Sequence, residues 1–497
     1  MLFTTANFAF LYLPVVLLGF VLFARFSTAW AATWLFAASV FFYGYWMPQF
    51  TVLLLGSVVV NFTIGGRITG PAQADTRLRR RSRNWLIAGV VFNLALLGYF
   101  KYTNFFIDTL QTLTGTQFHL TRVLLPIGIS FFTFTQIAFL ADAYQKGISE
   151  YKFTHYGLFV TYFPHLIAGP VLHHAQMMPQ FGQAATYRFQ LSNLAAGCAI
   201  FALGLVKKIV VADGISPYAD CVFNGVQLGA APGFLQAWLG ALAYTLQLYF
   251  DFSGYSDMAI GLSWMFNVRL PFNFNSPYKA RNISDFWRRW HMTLSAFLRD
   301  YLYIPLGGSR HGPVRRYLNL AATMLLGGLW HGASWTFVFW GGLHGLYLAV
   351  NHAFQALTAD AVALKNSRIA AVASWLITFL AVVIAWVFFR ASTFTAAAQM
   401  LHAMVSTPSF VTAPAATALL FNAGLSPVAG LVACAVLGVI AVFAPNSNAI
   451  GEWLHGLCRT RLAWRAFICG FAIACIVFLV VLNESRDSVS AFIYFNF

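Results

Sequence analysis

The chain has 497 residues, of which 30 are Lys or Arg and 14 are Asp or Glu, for a formal net charge of +16. Only 9% of residues are charged while 59% are hydrophobic, and the mean hydropathy is +0.69. Soluble domains carry about 25% charged residues, so soluble globular, disordered and fibrous proteins are excluded. The long apolar blocks do not alternate in polarity, which argues against a β-barrel. The composition predicts an all-α polytopic membrane protein.

The basic excess is typical of positively charged cytoplasmic loops and of contact with anionic lipid. No basic stripe with interleaved exposed aromatic residues occurs, so a nucleic-acid partner is not expected. The six cysteines are scattered and have no CxxC spacing. That spacing predicts neither a zinc site nor a disulfide framework.

The first predicted span covers residues 2–24, and no basic residue precedes Arg25, so we interpret it as a retained helix rather than a cleaved signal. A two-helix hairpin follows between Arg25 and Arg67, broken near Met47. The next loop, from Arg67 to Arg83, is the most basic in the chain. By the positive-inside rule this loop is cytoplasmic, which places the N-terminus on the opposite side of the membrane.

Further apolar windows predict about 11 spans in one domain, residues 1–497, with a catalytic core at about 120–350. The windows are 84–100, 123–141, 189–206, 221–250, 369–389, 424–444 and 466–483. Residues 153–187 contain Pro164 and Gly169-Pro170, which favours a broken or re-entrant segment. The adjacent pair His173-His174 does not share a helix face, and no metal site is predicted.

Polar residues concentrate in 251–316. After Pro277 the pattern becomes helical, and it predicts Ser284 as N-cap with Asp285 reaching Arg288 and Arg289. In one continuous helix, one face would carry the set Trp287, Trp290, His291 and Leu294, with Ser295 four residues after His291. An interfacial helix, with tryptophans at headgroup depth and arginines on lipid phosphate, is the alternative interpretation.

The 43 residues after Arg316 contain no Asp, Glu, Lys or Arg, enough for two spans. His331 lies about 22 Å along a helix from Arg316, within Gly327-Gly328-Leu329-Trp330-His331-Gly332. Glycines permit a helix break, and an ionisable residue at membrane depth is a functional candidate by default. The alternative interpretation of His331 is a neutral histidine buried in the protein core. His344, 13 residues on, is predicted to face elsewhere.

Several enzyme classes are excluded because HExxH, GxSxG, P-loop and GxGxxG motifs are absent. A buried histidine able to act as general base remains. With no nucleophilic Ser or Cys motif, direct transfer between two bound substrates is expected.

Several stretches resemble the membrane-bound O-acyltransferase superfamily, in particular its bacterial alginate O-acetyltransferase branch. They are 126–131, 167–170, 251–257, 273–277, 281–291, 299–308, 330–332 and the ending 492–497. The resemblance implies a ring of tilted helices, with re-entrant or interfacial helices, around a funnel open to both faces. It also implies that His331 is the catalytic residue and His291 the second polar residue of the active site.

The resemblance further implies acetyl transfer from a cytoplasmic donor, acetyl-CoA, with no tightly bound cofactor. The acetyl group would cross the bacterial inner membrane to a periplasmic acetyltransferase partner and an exported polysaccharide. His291 would hold or polarise the acyl donor or acceptor. Residues predicted to bind substrate are Trp330, Trp287, Asn282, Asp285 and Ser295, with Arg281, Arg288 and Arg289 at a cytoplasmic mouth that attracts phosphate.

Two other functions remain open. One is D-alanyl transfer to teichoic acid from a carrier-protein thioester. The other is transport or lipid flipping without acyl chemistry. The scarcity of acidic residues in the spans counts against proton- or sodium-coupled transport.

Overall fold

A computed structural model describes residues 1–68, 76–117, 121–150, 152–360, 367–406, 420, 423–486 and 490–493. Residues 494–497 of the matching C-terminal stretch lie outside these ranges. Helices and turns make up the described part, which contains no strand. The all-helical prediction is therefore confirmed.

The first nine helices contain the predicted hairpin, which breaks at Met47 because Pro48 begins a new helix. Segment 153–187 is broken into two short helices, as predicted. In chain order the helices are α1 Leu13–Phe26, α2 Thr28–Trp46, α3 Pro48–Gly65, α4 Thr76–Leu97, α5 Thr103–Thr114, α6 Ile129–Lys146, α7 Phe153–Thr161, α8 His174–Phe181 and α9 Leu191–Leu205.

The second half begins with a π-helical segment, Val206–Ala212, that joins α9 to the next helix. The helices that follow are α10 Asp213–Gln227, α11 Phe234–Met265, α12 Ile283–Trp287, α13 Met292–Leu298, α14 Gly312–His331, α15 Trp335–Leu357, α16 Arg368–Arg390, α17 Phe394–Val405, α18 Pro427–Phe443, α19 Ser447–Thr460 and α20 Leu462–Glu484. The predicted span 221–250 is wrong, because α10 ends at Gln227 and a turn separates it from α11.

Six helices in the described ranges are long and apolar enough to cross a membrane, and a bent pair, α18 with α19, makes a seventh candidate. They are Asn7–Phe26, Pro48–Gly65, Thr76–Thr114, Leu191–Gln227, Arg368–Arg390 and Leu462–Glu484. The protein is thus a multi-pass membrane protein. The larger number of about 11 spans stays a prediction.

The chain divides into two compact units. Unit 1 comprises Met1–Leu205, Tyr255–Phe272 and Ser447–Ala491. Unit 2 comprises Val206–Gly254, Asn273–Asn446 and Phe492–Phe497. All the residues predicted to form the site belong to unit 2. The prediction of a single domain stays a prediction.

Within unit 2, α14 and α15 form a hairpin in which two glycines allow backbone contact. A Cβ at Gly341 would overlap the carbonyl oxygen of Met324, and one at Gly328 would overlap that of Phe337. No side chain fits at either position. His331 is the last residue of α14.

We expect Gly341→Ala to lower the melting temperature of the detergent-solubilised protein, since overpacking a tight contact costs about 1–3 kcal/mol. Gly345→Ala is the matched control, because its Cβ would meet its nearest neighbour, Met324 Cβ, at an ordinary 3.5 Å. Both substitutions gain the same helix propensity. Equal melting temperatures for the two variants would contradict the close contact.

Candidate active site

A glycine break holds His331 at the end of its helix. Gly332 is extended, with φ −157° and ψ 147°, and Ser334 caps α15 by accepting a hydrogen bond from the Thr336 N–H. A Cβ at Gly332 would overlap the ring of Phe337. The break predicted from the glycines therefore exists, and steric packing requires glycine there.

Aromatic rings surround the His331 imidazole, which is 3% exposed. The ring centroids of Trp330, Trp340 and Phe389 lie 5.0, 5.1 and 5.4 Å from it, each in an edge-on arrangement. Such rings exclude water and strengthen electrostatic interactions inside the site.

His291 lies in a turn, and this corrects the predicted continuous helix. α12 ends at Trp287, α13 begins at Met292, and His291 between them is left-handed, with φ +42°. The helical spacing that placed Trp287, His291 and Leu294 on one face does not apply across this turn. Backbone bonds from Asn275 to Arg289 and from Met292 to Asn273 hold the turn against an extended segment.

The amide of Asn273 fixes the protonation of the His291 ring. Asn273 Oδ1 lies 3.0 Å from His291 Nδ1 and accepts hydrogen bonds from the Thr293 hydroxyl at 2.9 Å and the Thr293 N–H at 3.4 Å. Because a backbone N–H can only donate, this amide atom is oxygen, and Nδ1 of His291 must carry the proton. Nε2 is then the acceptor nitrogen.

His291 is fully buried and lies outside the candidate spans. Burial lowers the pKa of His291 to about 3, because the charged imidazolium is disfavoured away from water. The ring is therefore neutral at physiological pH. A neutral ring with a protonated Nδ1 accepts a hydrogen bond through Nε2.

The two histidines predicted from the sequence, His331 and His291, lie close together. Their ring centroids are 6.3 Å apart at an interplanar angle of 58°, and Trp330 lies 6.1 Å from His291. Trp330 thus contacts both imidazoles. The two imidazoles therefore belong to one buried aromatic cluster.

Three of the predicted substrate-binding residues are engaged in local structure. Asn282, rather than Ser284, caps α12 by accepting a bond from the Asp285 N–H at 2.8 Å, because the helix begins two residues before the predicted start. Ser284 instead accepts a bond from Asn351. The Ser295 hydroxyl donates to the Trp290 carbonyl at 3.4 Å. Their binding of substrate stays a prediction.

Asp285 was predicted to reach both Arg288 and Arg289; the pair with Arg289 is confirmed at 2.9 Å, and the pair with Arg288 is wrong, because Arg288 follows the end of α12 and is exposed. Arg281 and Arg288 are exposed, and within the described ranges neither lies within ion-pair distance of a carboxylate. Two cations are consequently available for a ligand.

His344 does not face elsewhere, and that prediction is wrong. Its ring lies 4.8 Å from Trp340, the same ring that contacts His331, and its Nδ1 lies 3.3 Å from Trp287 Nε1, which donates to it. The break at Gly332 resets the helical angle between His331 and His344, so the sequence spacing could not predict this. Trp340 itself is fully buried between the two histidines.

Sequence reasoning also missed Asn273 and Phe252 as partners of His291. Phe252 lies edge-on to the imidazole, with centroids 4.7 Å apart. Both residues were in matching stretches, but only the tertiary structure shows which side chain they contact. Among the described residues, no group of three or more His, Cys, Asp or Glu side chains could hold a metal ion.

Comparison with known proteins gives this geometry a context. The sequence profile of the membrane-bound O-acyltransferase family matches residues 16–394. The chain belongs to the membrane-bound O-acyltransferase family. It is 43% identical to a peptidoglycan O-acetyltransferase of Helicobacter pylori, over 82% of this chain and 80% of the relative. It is 40% identical to a probable alginate O-acetylase of Pseudomonas putida, over the full length of both.

A more distant relative is a teichoic acid D-alanyltransferase of Bacillus subtilis, 26% identical over 51% of this chain and 65% of the relative. The sequence-based assignment to the family is confirmed. This membrane-bound O-acyltransferase is an enzyme. The alternative interpretation of residues 281–291 as an interfacial segment stays a prediction. The paired buried histidines lie inside the region that the family profile matches.

Proposed function

We propose that this acyltransferase takes an acetyl group from acetyl-CoA and passes it toward an exported polysaccharide, with His331 as general base. The observation that carries the proposal is the pairing of His331 and His291, both buried, with their rings 6.3 Å apart. The O-acetyltransferase relatives support acetyl as the acyl group.

In the proposed reaction, His331 removes the proton of the acceptor hydroxyl as its oxygen attacks the acetyl carbonyl carbon. The new O–C bond forms, the thioester C–S bond breaks, and the proton held by His331 passes to the leaving thiolate. A positioned general base contributes about 10²–10⁴-fold to rate. The surrounding rings keep water from competing for the acetyl group.

The tautomer of His291 favours one of its two predicted roles. Because Nε2 is an acceptor, His291 is suited to hold a hydroxyl or amide N–H of a substrate. A neutral acceptor nitrogen cannot donate to the acyl carbonyl. We therefore assign His291 to substrate holding rather than to polarisation of the carbonyl.

The two unpaired arginines support a phosphate-bearing donor. Arg281 and Arg288 are exposed and have no carboxylate partner in the described ranges, whereas Arg289 is neutralised by Asp285. Guanidinium groups bind phosphate through paired hydrogen bonds. Acetyl-CoA carries such phosphates on its nucleotide end.

We expect the double variant Arg281→Gln/Arg288→Gln to raise the KM for acetyl-CoA about tenfold with little change in kcat. The KM for acetyl-pantetheine, which has no nucleotide phosphates, should not change. Arg368→Gln, which removes an exposed arginine at the start of α16, is the control. An unaltered KM for acetyl-CoA in the double variant would remove the donor-binding role.

The remaining parts of the proposal rest on the resemblance to the bacterial alginate O-acetyltransferase branch. The protein would lie in the bacterial inner membrane with a periplasmic N-terminus, and its helices would form a ring around a funnel open to both faces. A periplasmic acetyltransferase partner would receive the acetyl group and modify the polymer. The substrates of the relatives, alginate and peptidoglycan, support a sugar polymer as acceptor.

The proposed function is tested by mass spectrometry of exported polysaccharide from a deletion strain carrying the wild-type gene. Acetyl esters restored by the gene support the proposal, and release of free CoA thiol by the purified protein identifies the donor. D-alanyl esters on the polymer would instead favour the teichoic-acid reaction. Movement of substrate across vesicles without any ester would favour a transporter.

A further inference from the structure

A buried ion cluster in unit 2 takes no part in the proposed reaction. Lys208 Nζ lies 2.7 Å from Asp213 Oδ1 and 3.3 Å from Asp251 Oδ1. The three side chains are 4%, 8% and 2% exposed. Burying ions costs several kcal/mol each, and paired burial is weak evidence for a stabilising role. Ionisable groups kept in a membrane protein interior are functional candidates.

Asp251 uses its second oxygen to hold the C-terminal segment. Asp251 Oδ2 accepts a hydrogen bond of 2.9 Å from the Ile493 N–H, and this contact is buried. The neighbouring Phe492 is 2% exposed, and its ring centroid lies 5.6 Å from that of Phe252. One carboxylate therefore joins the ion cluster to residues 492–493.

Phe252 connects this segment to the candidate active site. It follows Asp251 on α11, is fully buried, and contacts the His291 imidazole edge-on at 4.7 Å. The amide of Asn273 holds Nδ1 of the same imidazole at 3.0 Å. The orientation of His291 thus depends on Asn273 and on the placement of Phe252.

We propose that Asp251 and Phe492 are positioning residues for His291: the Asp251 carboxylate fixes residues 492–493, so that Phe492 packs against Phe252 and Phe252 packs against the imidazole. Lys208, which is itself paired with Asp213, holds the Asp251 carboxylate in the orientation that faces Ile493. This role rests on the proposed function, because it acts through His291.

The first test measures the accessibility of His291 without using activity. Membranes containing wild-type protein or the Asp251→Ala variant are treated with diethylpyrocarbonate, and modified histidines are mapped by mass spectrometry. His291 is fully buried in the wild type and should be protected, while exposed His402 reports the reagent dose. Asp251→Ala and Phe492→Ala should each increase modification of His291 several-fold.

The second test measures kinetics with acetyl-CoA. Displacing a positioned group by about 1 Å can cost on the order of 10²-fold in rate, so both variants should lose kcat while the KM for acetyl-CoA changes little. Phe492→Leu should restore most of the activity. Asp251→Asn should be intermediate, because its amide oxygen can still accept from Ile493.

Asp220→Ala is the matched control. Asp220 pairs with Arg390 at 2.9 Å in the same unit. Asp251→Ala leaves the Lys208–Asp213 pair intact, so no isolated lysine is created. Protected His291 in Asp251→Ala, or an equal loss of kcat in Asp220→Ala, would overturn the positioning role. If His331 is not the base, the accessibility of His291 in these variants is still as predicted. A failure of the proposed function can therefore be distinguished from a failure of the positioning role.

Discussion

His331→Ala is expected to lower the rate of acetyl transfer by about 10²–10⁴-fold, because it removes the general base. The imidazole is enclosed by Trp330, Trp340 and Phe389. The loss should appear in kcat, measured as CoA thiol release by purified protein. It should also abolish acetyl esters on the exported polysaccharide.

His331→Asn keeps more of the side-chain volume, and it should be equally inactive while accumulating in the membrane at the wild-type level. His402→Ala is the control, since His402 is exposed in the last turn of α17. Acetylation at the wild-type level by membrane-inserted His331→Asn protein would refute the assignment of the base.

His291→Ala is expected to cost about 10²-fold in kcat/KM, because a misplaced substrate group loses its near-attack geometry. The imidazole is fully buried and its Nε2 is the acceptor that we assign to substrate holding. Combining this substitution with His331→Ala should give little further loss, since residues that act as a unit are not additive. The measurement is the kcat/KM of each single variant and of the double variant.

Asn273→Leu refines this test, because it keeps the imidazole and removes the amide oxygen that bonds Nδ1 at 3.0 Å. The variant should lose less activity than His291→Ala, since the ring remains while its tautomer is no longer fixed. Thr336→Ala, near the α15 cap, serves as the control. For the double variant His291→Ala/His331→Ala of the preceding prediction, additive losses would contradict action as a unit and would show that His291 and His331 act independently.

The sequence alone determined the class of protein and much of its helical layout. Charge scarcity predicted the multi-pass membrane protein, and proline and glycine placed the breaks at Met47 and Gly332. These features are local, because a proline or a glycine changes the backbone where it stands. His331 was singled out by its isolation within apolar sequence, and both histidines by resemblance to the family.

Tertiary structure decided which side chains meet. Helical spacing placed His291 on a continuous face and turned His344 away from His331, and both predictions were wrong because turns at His291 and Gly332 reset the helical angle. Asn273 and Phe252 reach His291 from 18 and 39 residues away. Contacts of that range depend on how helices pack, and packing is set by the whole set of buried side chains. The sequence therefore named the two histidines that we propose take part in the reaction, while the fold set their distance, their surroundings and the proton of His291.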